Sequence, residues 1–204
     1  MERVTKKNIN TVKYWNGFAT DGYSESDRRR GGNICKFSHV LEYIKPNLDV
    51  LDIGCLNGNF YNFIQEKGFN IRSFTGIDHS PDLIALAKKR FPRHNWQISD
   101  CYSLPFKNET FDVVTAMEIL EHLDEPERLL QEMKRVTKTN GSIIITVPNC
   151  NIIKDAAHVW SFTTTDIFAM LNKISSNVKI STICSANRYI LGKAIINYTS
   201  QLPQ

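Results

Sequence analysis

Between Asp49 and Pro148 the chain switches repeatedly between short apolar runs and stretches with apolar residues three or four apart, and this alternation leaves few folds open. Asp49 to Ile53 (DVLDI) is a buried-strand candidate closed by Gly54. Residues 58 to 67 then carry Phe60, Phe63 and Ile64 at helical spacing, with Gly68 as the stop. Arg72 to Ile77 is the second strand, followed by Ser80 as an N-cap, Pro81 at the first helical position, and Leu83, Ile84 and Ala87 on one face. Asn95 to Ser99 is a weaker third strand. Phe111 to Met117 (FDVVTAM) is the fourth, with Val113 and Val114 suited to burial on both sheet faces. Asp124 and Pro126 open a helix carrying Leu129, Leu130, Met133 and Val136 inward. Asn140-Gly141 ends that unit and releases Ser142 to Val147 (SIIITV), which Pro148 stops.

Strands alternating with helices of this length force right-handed crossovers, hence a mostly parallel, doubly wound α/β sheet covered on both faces. A helix over residues 35 to 45 precedes the first strand, and another is expected at Thr164 to Leu171. Val178 to Ile183 and Arg188 to Ile196 are separated by Cys184 to Asn187, a connection suited to an antiparallel hairpin that makes the sheet seven-stranded and closes its edge. No linker interrupts residues 35 to 199, so 35–204 is read as one domain. Residues 1 to 34 carry Tyr14, Trp15, Phe18 and Tyr23 without a period and are expected to form an arm or lid, with Asp21-Gly22 and Gly31-Gly32 as joints.

A chain of 204 residues, 42% hydrophobic and 23% charged, buries a sizeable core without metal or disulfide staples. No run reaches the roughly 20 apolar residues that cross a bilayer, and the N-terminus lacks the apolar middle of a signal peptide, so a cytoplasmic protein with no membrane association is expected. The five cysteines (Cys35, Cys55, Cys101, Cys150, Cys184) are odd in number and never spaced C-x-x-C, so reduced thiols are expected. A formal charge of +4 permits nucleic acid without implying it, and Arg28-Arg29-Arg30 is read as a solvated run.

In an open α/β sheet ligands settle at the carboxyl ends of the strands, near the point where strand order reverses. The first strand-to-helix turn is D-I-G-C-L-N-G-N-F, residues 52 to 60. Gly54 and Gly58 allow close backbone approach, and the helix that follows offers free N–H groups to an anionic group such as a carboxylate. Asp78, ending the second strand, can accept both hydroxyls of a ribose; Asp100, ending the third, can accept from an adenine amine. Together these point to nucleoside binding. Over residues 35 to 172 the chain resembles the Rossmann-like class I S-adenosylmethionine-dependent methyltransferases, especially the ubiquinone-biosynthesis-type O-methyltransferases. The resemblance rests on V-L-D-I-G-C-L-N-G, G-I-D, S-D-C-Y-S-L-P-F, F-D-V-V-T-A-M-E-I-L-E-H-L and K-T-N-G-S-I-I-I-T-V-P-N. It implies S-adenosylmethionine as cofactor and S-adenosylhomocysteine as product. By the same resemblance Asp52, Gly54, Cys55 and Gly58 surround the methionyl part, Asp78 with His79 beside it holds the ribose, Asp100 and Cys101 contact the adenine, and Met117 is the floor by the methyl donor. The family commonly has a glycine where Leu56 stands, so Leu56 must avoid positive φ or accept strain.

Glu118, Glu121 and His122 follow the fourth strand at i, i+3 and i+4, which in a helical turn places all three on one side. His122 is the candidate general base; an equal alternative is that this pair orders the loop. With His158, these residues resemble the metal site of small-RNA 3′-end 2′-O-methyltransferases. H-x-x-x-F-T segments also occur in metal-free relatives, and no metal is assigned. The leading expectation is methyl transfer to an oxygen, less so a nitrogen, of a small metabolite such as a sugar, phenol or natural-product intermediate. A metal-dependent RNA 2′-O-methyltransferase and a catalytically silent cofactor-binding protein are the alternatives. A dinucleotide dehydrogenase is disfavoured because G-x-G-x-x-G is absent. Acceptor identity and oligomeric state carry no motif.

Overall fold

A computed structural model describes residues 1–4, 8–20, 31–153 and 155–198. In chain order its elements begin with β1 (Glu2–Arg3), α1 (Val12–Thr20), α2 (Gly31–Leu41), β2 (Asp49–Ile53), α3 (Asn59–Glu66), β3 (Ser73–Asp78), α4 (Pro81–Arg90) and β4 (Asn95–Ile98). They continue with β5 (Phe111–Met117), α5 (Pro126–Val136), β6 (Thr137–Pro148), β7 (Trp160–Ser161), α6 (Thr164–Asn172), β8 (Asn177–Ile183) and β9 (Tyr189–Ile195). Two short 3₁₀ turns, Leu120–His122 and Ser185–Asn187, complete the set.

Seven strands form one sheet in the order β4-β3-β2-β5-β6-β9-β8. The first five pair in parallel, and β9 alone runs against its neighbours, inserted between β6 and β8. Strand order reverses beside β2, which pairs with both β3 and β5, so a crevice opens at the carboxyl ends of β2 and β5. Alternate residues of the central strands bury on opposite faces. Leu51, Ile53, Val114, Ala116, Ile143 and Ile145 pack with Leu129, Leu130 and Met133 of α5 and Ile167 and Leu171 of α6. Val50, Val113 and Ile144 pack with Phe37 and Val40 of α2, Phe60 and Ile64 of α3, and Ile84 and Ala87 of α4. That two-sided burial explains why DVLDI, FDVVTAM and SIIITV are nearly continuous apolar runs. Ser80 caps α4 by accepting from Leu83 N, with Pro81 at the first turn.

Three expectations are corrected. The helix expected from residue 35 starts at Gly31, inside the stretch read as an arm. Asn140-Gly141 does not separate α5 from β6: the helix ends at Val136 and the strand begins at Thr137, which pairs with Phe111. The extra residues are absorbed as an irregularity inside β6, with Asn140 at φ +64. Finally, the cysteines are not all reduced. Cys35 of α2 and Cys184, at the end of β8, form a disulfide with Cα atoms 5.8 Å apart, while Cys55, Cys101 and Cys150 are free. The two are 149 residues apart, and only the packing of α2 against the β8 edge brings them together, so their spacing carried no signal.

Near the N-terminus β1 pairs antiparallel with β7, and α1 stacks Trp15 on Phe18 with Tyr14 edge-on to both. Asn16 Oδ1 accepts from Ser80 Oγ, tying α1 to the start of α4. Tyr23, Asp21-Gly22 and Arg28 to Arg30 lie outside the described residues. Among the described residues no helix is long and apolar enough to cross a membrane.

Candidate functional site

A cavity of about 980 Å³ occupies the crevice at the strand ends. Of the residues expected at a site, Asp52, Gly54, Cys55, Asp78, His79, Asp100, Cys101, Met117 and His122 all line it. Gly58 does not. It caps α3 at φ +82, where a Cβ would come within 2.9 Å of Trp96 and 3.0 Å of Phe91, so its part is to let the turn pass beneath two aromatic rings.

At one end the β2-to-α3 turn sets Gly54 at φ +72 and Leu56 at φ +51. Leu56 therefore accepts the left-handed conformation that a glycine would adopt freely, and in doing so donates its N–H to Asp78 Oδ2 at 3.0 Å. Ser80 N donates to the other oxygen, Asp78 Oδ1, at 2.9 Å. These two backbone donors fix a carboxylate that is only 6% exposed. Asp52 is buried too, accepting from Thr115 Oγ1 at 2.7 Å. Burial pushes the Asp52 carboxyl up to about 7 against that hydrogen bond, with the Asp78 charge adding to the effect. Burial likewise raises Asp78. This end of the cavity thus holds two buried acids, with the Thr115 hydroxyl on Asp52 and His79 Nδ1 3.8 Å from Asp78 Oδ1. His79 Nε2 and Asn59 Nδ2 are buried without a partner among the described residues. Asp100, on the rim, accepts from Tyr102 N, and burial beside it pushes the Cys101 thiol up to about 12.

One clamp escaped the sequence reading. Arg90, at the end of α4, donates through Nη1 to Asn57 O at 2.7 Å, Asn57 Oδ1 at 2.9 Å and Asn59 Oδ1 at 3.2 Å, pinning the turn from behind. Thirty-odd residues separate these groups, and nothing in the local pattern couples them.

At the other end, β5 leads into Glu118 at φ +55 and the 3₁₀ turn. Glu118 accepts from Thr146 Oγ1 at 3.0 Å, and Lys36 Nζ of α2 lies 3.4 Å from its other oxygen and 4.3 Å from the centre of the Tyr189 ring. Lys36 is 5% exposed; neither it nor Tyr189 was singled out from sequence. Glu121 is 1% exposed, and neither of its oxygens has a partner among the described residues. Burial, then the Glu118 charge, pushes its carboxyl well up. His122 places Nδ1 3.2 Å from the Ala157 carbonyl and Nε2 3.9 Å from Glu121 Oε1. Burial holds the imidazole down to about 4. At neutral pH the imidazole is therefore uncharged and forms no ion pair with Glu121, and Nδ1–H donates to the carbonyl.

His158 comes over the cavity as expected, its ring 5.1 Å from that of His122, and Trp15 lies edge-on to His122 at 5.1 Å. Glu121, His122 and His158 each offer a ligand atom, all within 4.8 Å of one another. The fourth residue expected with them, Glu118, is turned instead to Lys36 and Thr146.

The family model described as methyltransferase domain matches residues 51–145. A ubiquinone biosynthesis O-methyltransferase of Coxiella burnetii is 30% identical over 120 residues, 54% of this chain and 50% of that protein. Among solved structures, the methyltransferase bound to the Trm112 methyltransferase activator of Haloferax volcanii superposes with a TM-score of 0.75 at 15% identity, covering 90% of this chain and 98% of that one. Phosphoethanolamine N-methyltransferase 2 of Haemonchus contortus, in complex with phosphomonomethylethanolamine and S-adenosylhomocysteine, gives 0.67 at 14% identity over 80% of this chain and 52% of that one. The chain spans about half the length of the curated relatives it matches.

Proposed function

We propose that this chain is a class I S-adenosylmethionine-dependent methyltransferase and that it methylates an oxygen of a small metabolite. The observation that carries the reading is the buried Asp78 carboxylate at the switch point, held by two backbone donors with lone pairs to spare for a vicinal diol. The cofactor fits the residues present. Its ribose hydroxyls and amine would add donors to Asp78 and Asp52, and its positive charge would offset two crowded acids. Asp52 and the Gly54 to Leu56 backbone would hold the methionyl part, Asp78 the ribose, Asp100 to Tyr102 the adenine, and Met117 the floor. When bound, S-adenosylmethionine supplies a methyl group on a positively charged sulfur, open to in-line attack.

On the protein's side, His122 is the candidate base. Its Nδ1–H is committed to the Ala157 carbonyl, which leaves the Nε2 lone pair, 3.9 Å from Glu121 Oε1, as the atom that would take the acceptor's proton. Trp15, edge-on to His122, lines the cavity with Tyr14 and Phe18, where bound acceptor and these rings together would limit water. A cavity of about 980 Å³ suits a cofactor with a small acceptor beside it. Oxygen is favoured by similarity to the ubiquinone O-methyltransferase, while the N-methyltransferase neighbour keeps nitrogen in the test.

A second reading has its own observation. The partnerless oxygens of Glu121, with His122 and His158 alongside, match a divalent-cation donor set, and a cation there would acidify an acceptor hydroxyl in place of a base. Methyl-labelled S-adenosylmethionine, offered with phenolic, sugar, amine and short-RNA acceptors with and without chelator, separates these readings. Label transferred to a small hydroxyl compound and insensitive to chelator is the expected result. Label on RNA only, or loss with chelator, selects the metal-dependent alternative, and no transfer to any acceptor leaves a silent cofactor-binding protein.

A further inference from the structure

The Cys35–Cys184 disulfide joins two walls of the cavity. Gly32, Asn33, Lys36 and Phe37 of α2 line one side, and Arg188 and Tyr189, which follow Cys184 into β9, line the other. The seam between them is close. A Cβ at Gly32 would come within 2.8 Å of the Tyr189 hydroxyl, and the Lys36 ammonium sits over the Tyr189 ring. Cys184, Ala186 and Asn187 all have positive φ, so the corner that presents Arg188 and Tyr189 is held in a conformation non-glycine residues seldom adopt.

The two halves of α2 are anchored differently. From Phe37 onward the helix is tied by burial: Phe37 packs on Phe60 and Phe63, and Val40 is fully enclosed in the same cluster. The ties of its first turns, residues 31 to 36, to the cavity wall include the disulfide and Lys36 on Glu118 and Tyr189. Cutting the sulfur bridge therefore loosens the part of the helix that faces the ligand and spares the part that belongs to the core.

We propose that this disulfide is a redox latch: oxidised, it positions Lys36 and the start of α2 against Glu118 and Tyr189; reduced, it lets this wall open while the domain stays folded. The effect on ligand binding rests on the cavity being the S-adenosylmethionine site argued above. The reductant is a dithiol. One of its thiolates attacks a sulfur of the bridge to give a mixed disulfide, and its second thiol then closes a ring on itself. Two electrons pass to the pair, Cys35 and Cys184 each end as a thiol with one added proton, and the reagent leaves as a cyclic disulfide. In reducing compartments such bonds are usually regulatory, not permanent.

The test uses the whole protein, air-oxidised or treated with dithiothreitol, and the Cys35→Ser/Cys184→Ser variant. Alkylation with mass spectrometry reads the thiols, hydrogen exchange reads residues 31–36 and 184–189 against 37–41, and calorimetry reads S-adenosylhomocysteine affinity. The expected result is a bridge in the oxidised protein, faster exchange in 31–36 and 184–189 on reduction with 37–41 still protected, and affinity weakened by about fivefold or more, the lower range of ordinary coupling between sites. The double variant should match the reduced protein with or without dithiothreitol. Free thiols after oxidation, unchanged exchange in 31–36, or loss of protection through 37–41 and β6 together would each overturn the latch. If S-adenosylhomocysteine binds in neither state the cofactor reading fails, whereas the exchange data still decide the latch.

Discussion

At the end of the cavity proposed for the cofactor each wall segment continues directly from a strand: Asp52 to Leu56 from β2, Asp78 and His79 from β3, and Ile98 to Tyr102 from β4. At the acceptor end the walls come from α1, the start of α2, the turn after β5, the loop after β6 and the corner before β9. The first end is a consequence of sheet topology and is rigid wherever the sheet is. The second is held by ties between distant segments: Asn8 Nδ2 donating to His122 O, Asn10 Nδ2 to Ala157 O, Val159 N to Glu121 O, and the disulfide. An enzyme fold that keeps one cofactor while changing acceptors needs this division, because the acceptor walls can change without disturbing the sheet.

Asp52 and His122, one at each end, also differ in the sign of their coupling to pH, and this gives the largest expected effect. Asp52, raised to about 7 when folded, keeps its proton in the native state where the unfolded chain has lost it; its contribution is present at low pH and is lost as pH rises from about 4 through 7. For the ligand-free protein that loss is at most about 4 kcal/mol. His122, held down to about 4, stays neutral where the unfolded chain is charged; its contribution is present above about 6.5 and is lost as pH falls toward 4, at most about 3 kcal/mol. Glu121, raised by burial, shares the sign of Asp52, so the signs are read from variant differences. In melting curves from pH 4 to 8, Asp52→Asn should remove a falling component with rising pH and His122→Gln a rising one. The same sign for both would break the comparison. Because a bound amine favours the Asp52 anion, S-adenosylhomocysteine affinity should also fall below pH 7, by up to about tenfold per unit, and this slope should vanish in Asp52→Asn.

A smaller effect is expected from the tie between distant walls. Removing the Cys35–Cys184 bridge, which closes a loop of 149 residues, should lower stability by about 3 kcal/mol, within the usual range for such cross-links. Denaturant unfolding of the double serine variant measures it; an unchanged midpoint would mean that the unfolded chain gains nothing from release. The smallest effect belongs to the cofactor turn. Leu56→Gly removes a left-handed leucine but adds freedom to the unfolded chain, so thermal unfolding should shift by no more than about 1 kcal/mol in either direction. A loss of several kcal/mol would show the leucine side chain to be a packing element in its own right.

The same division governs what the sequence discloses. β2 and β5 have the residue limits expected of them, because DVLDI and FDVVTAM are buried on both faces and the backbone turns left-handed just after each, at Gly54 and Glu118. Gly54, Asp78 and Asp100 were legible as cavity-lining residues because each sits at or just past the end of a strand, and Asp52 through the family resemblance. The acceptor end was legible in Glu118 to His122, in His158 and in the aromatic residues Tyr14, Trp15 and Phe18. Lys36, Tyr189 and the Arg90 clamp depend on contacts between residues far apart in the chain, and no local periodicity encodes them. Glu118 looked like a partner of Glu121 by spacing, yet its left-handed backbone turns it to Lys36 and Thr146.

The central claim, that the crevice holds S-adenosylmethionine through the buried acid at the end of β3, is tested most directly by calorimetry of S-adenosylhomocysteine with the wild-type protein and with Asp78→Ala. The account predicts one bound ligand per chain in the wild type and a loss of about 2 kcal/mol or more in the variant, the scale of hydrogen bonds to a charged group. Binding of equal strength in both proteins would contradict it.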